Sequence, residues 1–220
     1  MNSTTKKLKQ LLIPGSIYVF FKGMRLIYSK KSYLVTTGFI DTYRTGIPCK
    51  SGGSPIPWMN YNVILFLENR LNKNLTLFEF GSGYSTIFYA SLVNAVTSVE
   101  YDQQWLQRIQ SMAPDNVDLL FQDKDIDGDY CRTILRQGNK FDVVIVDGRD
   151  RVNCAKQAFQ AISDNGIIIL DDSHRNKYQT AFDFFNEKGF RHIDFEGLKP
   201  RGIGNYRTTI FYRDKNCFDI

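Results

Sequence analysis

The 220-residue sequence lacks the residue spacings that mark several classes of protein. It has four cysteines and no C-x-x-C pair or other metal-ligand spacing, and they are too sparse for a disulfide scaffold: Cys49, Cys131, Cys154 and Cys217. We therefore expect reduced thiols and a cytoplasmic protein. There is no internal repeat or low-complexity tract, and 43% hydrophobic and 23% charged residues are typical of a soluble domain. The length suits one α/β domain with a modest extension.

Acidic residues are missing from the first 31 positions, although basic residues are common there: Lys6, Lys7, Lys9, Lys22, Arg25, Lys30 and Lys31. Much of the net charge of +5 therefore belongs to an amino-terminal arm. A nucleic-acid-binding protein would also need basic residues with interleaved aromatics on its main body. We accordingly expect no nucleic-acid partner.

Long hydrophobic runs are also missing. Residues 11–21 are apolar and follow lysines, but Pro14 and Gly15 interrupt them, no small-residue cleavage site follows, and the run is too short to span a bilayer. An amphipathic helix is predicted instead, with Lys22 and Arg25 away from an apolar side: Ile17, Phe20, Phe21, Met24, Ile27 and Tyr28. Such a helix packs on its own domain or on a second subunit of a homo-oligomer, or it contacts a membrane surface. We predict an arm and loop over residues 1–55 and one domain over 56–220.

Within that domain, helical and strand patterns alternate. Helices are predicted at 58–71, 84–93, 103–112, near 130–136, at 154–162 and 178–188, and strands at 75–80, 96–101, 117–122, 141–147, 166–171, 191–196 and 208–213. Strands that are almost wholly apolar indicate a parallel sheet with helices on both faces. The last two strands have no helix between them, so they form an antiparallel pair. The expected fold is a doubly wound, seven-stranded, mostly parallel sheet.

The first strand ends in a glycine-punctuated turn. Gly81 and Gly83 permit close approaches to the backbone N–H groups of the next helix, as a nucleoside cofactor requires. Glu79 would repel a pyrophosphate but attract the ammonium of a methionine moiety, which favours S-adenosylmethionine (SAM) over NAD. Thr86 stands where a dinucleotide motif has its third glycine.

Acidic residues follow nearly every strand, at the edge where open parallel sheets bind ligands. Glu100 lies 19 residues beyond Gly81, where a carboxylate can accept both ribose hydroxyls. Asp123 is the predicted partner of the adenine amino group, with Asp125 as the fallback. Asp147 ends the fourth strand, and Asp171 and Asp172 end the fifth.

On these motifs, residues 56–213 resemble the class I SAM-dependent methyltransferases. The segment Glu79-Phe-Gly81-Ser-Gly83 is similar to the first motif of that family, and Glu100 and Asp123 to its ribose-side and adenine-side acids. The resemblance implies SAM as cofactor. The residues expected to contact it are Glu79, Gly81, Ser82, Gly83, Ser85, Thr86, Glu100, Asp123 and Asp147.

A finer resemblance concerns the later acids. In cation-dependent O-methyltransferases, of the catechol and macrolide-sugar types, acids at the positions of Asp147, Asp171 and Asp172 hold Mg²⁺ or another divalent cation. Three hard oxygen ligands suit that ion, which can lower the pKa of a substrate hydroxyl. The alternative is that Asp147 only contacts SAM and Asp172 caps the next segment. The catalytic candidates are Asp147, Asp150 and His174, and the resemblance leaves the general base unassigned.

The acceptor is predicted from the segment 147–151, which is similar to plant glucuronoxylan methyltransferases. Arg149 and Arg151 suit a uronate or phosphate, or they pair with neighbouring acids. Trp58 stacks on a sugar or packs in the core. The predicted activity is O-methylation of a saccharide or glycan precursor. The alternatives are a methyltransferase for small phenols and a catalytically silent SAM-fold scaffold. Aminopropyl transfer is disfavoured because no dense acidic motif follows the fourth strand.

Overall fold

The computed structural model describes residues 14–220. The chain divides into two compact units, Met1–Ser54 and Pro55–Ile220. Three lysines of the predicted basic arm, Lys6, Lys7 and Lys9, lie outside the described residues.

From residue 14 onward, the first unit contains three helices: α1 (Gly15–Tyr28), α2 (Tyr33–Thr36) and α3 (Phe39–Thr45). Ser32 begins α2, because its side chain accepts a hydrogen bond from the Val35 amide at 3.2 Å. Gly38 precedes α3 with a φ of 83°, and a Cβ there would lie 2.1 Å from the Cys49 carbonyl oxygen. Only glycine therefore fits this turn. Within residues 14–220, no helix has the length and apolar character needed to cross a membrane.

The second unit alternates strands and helices. Its strands are β1 (Thr76–Phe80), β2 (Ala95–Glu100), β3 (Val117–Phe121), β4 (Phe141–Val146), β5 (Ile162–Leu170), β6 (Arg191–Gly197) and β7 (Tyr206–Tyr212). Its helices are α4 (Tyr61–Arg70), α5 (Tyr84–Leu92), α6 (Gln103–Gln110), α7 (Asp129–Arg132), α8 (Arg151–Ala161) and α9 (Gln179–Glu187). Short 3₁₀ turns, Thr133–Gln137 and Asn176–Tyr178, follow α7 and precede α9.

All seven strands form one sheet in the order β3-β2-β1-β4-β5-β7-β6. The first five strands are parallel, and β7 runs antiparallel to both β5 and β6. The predicted doubly wound sheet and its reversed hairpin are confirmed. The strand order changes direction between β1 and β4, and ligands bind beyond the carboxyl ends at such a point.

The sheet core is aromatic and aliphatic, with Phe78, Phe80, Val144 and Ile168 fully buried. Three predicted boundaries are wrong by three residues or more, and one of them is the start of α8, at Arg151 rather than at residue 154. Helix α4 begins at Tyr61 rather than at residue 58, because the Asn60 side chain caps it by accepting from the Val63 amide at 3.0 Å. Strand β5 begins at Ile162 rather than at residue 166. The exposed residues before 166 still belong to the strand, because its register against β4 shifts there.

Candidate functional site

The turns after β1 and β4 approach each other closely. Gly81 has a φ of 92°, and a Cβ on it would lie 3.2 Å from Gly148 Cα. A Cβ on Gly148 would lie 2.2 Å from the Tyr130 hydroxyl and 2.9 Å from the Gly81 nitrogen. Glycine at both positions is therefore what brings the two strand ends together.

Glu79 is almost fully buried beneath the first turn. Its carboxylate accepts hydrogen bonds from Ser85 at 2.5 Å, Thr86 at 2.6 Å and Ser98 at 2.7 Å. Burial raises the pKa of Glu79 to about 7, against the lowering effect of these hydroxyls. A carboxylate has about four acceptor positions, so one remains for a ligand. Thr86, at the position of the missing third glycine, also accepts from the Gly83 amide at 2.9 Å.

Glu100 ties the ends of β1 and β2 together. One carboxylate oxygen accepts from the Ser82 amide and hydroxyl, both at 3.0 Å. The other accepts from the amides of Tyr101 at 2.8 Å and Asp102 at 3.0 Å. The predicted ribose-side acid thus faces the glycine turn, and its contact with a ribose stays a prediction.

A cavity of 380 Å³ opens at this edge of the sheet. The sequence interpretation missed four of its lining residues, Tyr101, Asp102, Trp105 and Gly148. Trp105 donates from its indole nitrogen to the Ser82 carbonyl at 2.8 Å, and an aromatic residue one turn into the helix after β2 was the available signal. The cavity is lined by Glu79, Gly81, Ser82, Ser85, Glu100, Tyr101, Asp102, Trp105, Asp147, Gly148, Arg149 and Arg151. We call this space the donor cavity.

Not every predicted cofactor residue lines the donor cavity. Gly83 and Thr86 lie behind it, and they act through the turn and through Glu79. Asp123 is exposed and is not among the lining residues. The fallback, Asp125, accepts from the amides of Asp129 at 2.6 Å and Tyr130 at 3.1 Å and so begins α7. The adenine-side role of Asp123 stays a prediction.

The three predicted metal ligands come together, but Arg151 lies among them. The Arg151 guanidinium contacts Asp147 Oδ1 at 2.7 Å, and the nearest oxygens of Asp171 and Asp172 are each 3.8 Å away. It also donates to the carbonyl oxygens of Asp147 at 2.9 Å, Gly148 at 3.1 Å and Asp171 at 2.6 Å. One side chain therefore joins the ends of β4 and β5.

Other cations complete this arrangement. Asp172 contacts Lys199 at 2.9 Å and also pairs with Arg175, while Asp171 accepts from the Thr208 hydroxyl at 2.7 Å. Burial acts to raise the pKa of Asp172, but the hydrogen bond and charge of Lys199, with Arg151 and Arg175, outweigh it and lower that pKa. Burial likewise opposes the charge on Arg151, but Asp147 and Asp171 raise its pKa.

These carboxylates do not fit the predicted divalent cation. A guanidinium lies among all three, and Lys199 and Arg175 take the remaining oxygens of Asp172. Over residues 14–220 no group of three or more His, Cys, Asp or Glu side chains is arranged to hold a metal ion. The prediction of a metal site at Asp147, Asp171 and Asp172 is corrected accordingly. The open alternative that Arg151 pairs with neighbouring acids is the one observed.

A second cavity of 260 Å³ adjoins the donor cavity and shares Gly148, Arg149 and Arg151 with it. We call it the acceptor cavity. Arg149 contacts the Tyr101 hydroxyl at 3.0 Å, and the Lys177 ammonium lies 5.1 Å from the centre of the Tyr178 ring. Neither cation has a carboxylate partner within the part of the chain that the structure describes. The other lining residues are Asp150, Val152, Arg175 and Tyr178.

The remaining predicted site residues lie in different surroundings. Asp150, with a φ of 47°, accepts from the Asp127 amide at 2.8 Å and from Asn153 at 2.9 Å. His174 is exposed, accepts from the Arg207 amide at 3.5 Å and lines neither cavity. Trp58 is 40% exposed and also lies outside both linings.

Comparison with known proteins gives the fold but no close relative. No protein-family model and no curated protein matches the chain. Among solved structures, a precorrin-6y C5,15-methyltransferase from Geobacter metallireducens is 14% identical with a TM-score of 0.50, covering 69% of this chain and 86% of its own. A methyltransferase-like protein from Silicibacter pomeroyi is 23% identical (TM-score 0.49; 68% and 83% covered). A Streptococcus mutans protein in complex with SAH is 15% identical (TM-score 0.47; 68% and 96% covered). The likeness to the Geobacter structure, together with the order of the strands, shows a Rossmann-like methyltransferase fold.

Proposed function

We propose that this protein is a SAM-dependent O-methyltransferase whose acceptor is a hydroxyl of an acidic saccharide or glycan precursor. The donor cavity carries the proposal. It places two buried carboxylates, Glu79 and Glu100, beside the glycine turn, and neither has a cationic partner in the described part of the chain. SAM brings an ammonium and a sulfonium, so it supplies the positive charge that these two carboxylates lack.

The acceptor cavity supports the acidic saccharide. Arg149 and Lys177 offer two cations without carboxylate partners, and a uronate or phosphate on the acceptor would pair with them. The cavity adjoins the donor cavity along Gly148 and Arg151, so an acceptor anchored there presents a hydroxyl to the donor. A small phenol without an acidic group would leave both cations unpaired.

The reaction is a direct in-line transfer. The acceptor oxygen forms a bond to the methyl carbon while the bond from that carbon to sulfur breaks, and the sulfonium becomes a neutral thioether. The hydroxyl proton passes to a carboxylate. Asp147 lines the donor cavity and Asp150 the acceptor cavity, so one of these two is the proposed base. Arg151 fixes Asp147 at 2.7 Å and so holds the strand end against the donor.

Calorimetric titration with SAM tests the donor half of the proposal. We expect binding by the native protein and a loss of at least about tenfold in affinity for Glu100→Ala, since the turn loses its carboxylate acceptor. Asp118→Ala, which removes an exposed acid of β3, is the matched control and should bind normally. No binding by the native protein, or unchanged binding by Glu100→Ala, contradicts the proposal.

A product screen tests the acceptor half. Uronic-acid oligosaccharides, their methyl esters and catechols are offered with radiolabelled SAM. We expect labelling of the free acids above the esters and catechols, and a loss of that preference in Arg149→Gln. Turnover of catechols alone favours the small-phenol alternative. SAM binding without turnover of any acceptor favours the silent scaffold.

The variants Asp147→Asn and Asp150→Asn test the proposed base. They show which carboxylate is needed for turnover but not for SAM binding.

A further inference from the structure

Helix α1 presents an unusual surface for a helix of a folded protein. None of its residues is buried, and Phe20 and Phe21 are 62% and 64% exposed. Its other exposed large apolar residues are Ile17, Tyr18, Val19, Met24, Leu26 and Tyr28. Exposing a contiguous set of this size is costly in water, so a partner is expected to cover it.

The apolar residues cover too much of the helix for an ordinary protein contact. At 3.6 residues per turn all of them except Tyr18 occupy an arc of about 220°, from Leu26 through Phe20 to Phe21. Lys22 and Arg25 lie opposite the middle of that arc, beside Tyr18, whose ring the Lys22 ammonium approaches to 5.5 Å. A second helix covers a narrower stripe, and it would leave much of this arc in water. A lipid surface can cover the whole arc while the basic side stays in water.

The charge of this segment selects the kind of lipid surface. The first acidic residue of the chain is Asp41, whereas the preceding 40 residues contain seven Lys and Arg. Lys22 and Arg25 lie on α1, and Lys30 and Lys31 follow it directly. Such a segment is attracted to anionic headgroups. A nucleic acid would satisfy the charge but would leave the apolar arc exposed.

The length of α1 decides how it would lie. Its 14 residues make a helix about 21 Å long, shorter than the hydrocarbon core of a bilayer. Phenylalanine and tyrosine side chains suit the boundary between headgroups and acyl chains. The helix therefore suits the plane of the membrane surface.

We propose that α1 binds the surface of a bilayer with anionic headgroups, its apolar arc in the acyl boundary and its basic side towards water. No residue of α1 lines either cavity, and this binding does not depend on methyl transfer.

Vesicle co-sedimentation of the full chain tests this inference. The probes are phosphatidylcholine vesicles, alone or with about 30% phosphatidylglycerol, at low and high salt. We expect sedimentation with the anionic vesicles that weakens as salt rises. Phe20→Ser with Phe21→Ser should reduce binding at least about tenfold, because two large apolar side chains no longer enter the boundary. Lys22→Gln with Arg25→Gln should reduce it about fivefold and flatten the salt dependence.

Leu65→Ser is the matched control, because Leu65 is 61% exposed on α4 and belongs to neither cavity. It should bind vesicles as the native protein does. Equal thermal unfolding midpoints across the variants show that each is folded. Absence of binding to anionic vesicles, or unchanged binding by the phenylalanine variant, overturns the inference. A second result would also overturn the inference. If the protein does not bind vesicles and light scattering shows a dimer that the phenylalanine variant abolishes, then a second copy of the chain covers α1.

Discussion

The two groups of acids at the carboxyl edge of the sheet differ in what surrounds them. Glu79 and Glu100 are held by hydroxyls and backbone amides. Asp147, Asp171 and Asp172 are held largely by Arg151, Lys199 and Arg175. Within the described residues no cation of the chain pairs with the first group, whereas cations of the chain pair with the second. Acids at equivalent strand ends can thus serve a cationic donor in one case and the rigidity of the site in the other.

Replacing Arg151, the cation that lies among the three aspartates of the second group, should have the largest effect on stability. In Arg151→Ala, Asp171 and Asp172 lose a charge partner and three backbone carbonyls lose a donor. We expect the free energy of unfolding to fall by about 3–5 kcal/mol, measured by urea denaturation. Arg132→Ala is the control, because it breaks an exposed pair with Asp127 and should cost at most about 1 kcal/mol. Equal losses in the two variants would show that Arg151 is an ordinary surface cation.

The same variant should change the response to metal. With the guanidinium gone, Asp172 keeps Lys199 and Arg175, but Asp147 and Asp171 face a vacated position that suits a hard divalent cation. We expect millimolar Mg²⁺ to raise the unfolding midpoint of Arg151→Ala by several degrees and to leave that of the native protein unchanged. Thermal unfolding with Mg²⁺ and with EDTA measures both. An equal rise in the native protein would mean that an ion fits beside Arg151.

The sequence predicts the positions of these acids in the fold better than it predicts the cations that contact them. Apolar strands and helix-breaking glycines place these five acids at one edge, and the order of the strands in the sheet agrees with that placement. The sequence does not show where a long side chain points. The sequence therefore allows Arg151 to be a substrate contact or a partner for nearby acids, although its four-residue spacing from Asp147 favours the pairing. Lys199 lies 27 residues beyond Asp172, and only the hairpin of β6 and β7 brings such distant residues together.

The first group should respond to pH through Glu79. A pKa of about 7 means that the carboxyl is mostly protonated at pH 6, whereas the ammonium of SAM prefers the ionised form. The ionised fraction rises about eightfold between pH 6 and pH 7.5, so SAM affinity should rise by about that factor. Calorimetry across this range measures it, and Glu79→Gln should bind more weakly with a flat profile.

The stability of the ligand-free protein should change in the opposite direction over a similar range. The folded state holds a proton on Glu79 up to about pH 7, whereas the unfolded chain releases it near pH 4.5. The contribution of Glu79 to the free energy of unfolding therefore falls as pH rises between these values.

The calorimetric profile decides whether SAM contacts Glu79. If the SAM affinity of the native protein is as independent of pH as that of Glu79→Gln, the donor does not contact this carboxylate.

The smallest effect is expected at Lys199. In Lys199→Gln, Asp172 loses a 2.9 Å charged hydrogen bond but keeps Arg175 and Arg151, so we expect a loss of about 1 kcal/mol in the free energy of unfolding at pH 7. Because Lys199 helps to lower the pKa of Asp172, its stabilisation is present above the ordinary pKa of an aspartate and is lost as pH falls below it. Urea denaturation at pH 7 and pH 3 should therefore show a smaller difference between variant and native protein at the lower pH. A difference that stays constant would mean that Lys199 acts through packing of its aliphatic stem, and that the neutralisation of the second group depends on the arginines alone.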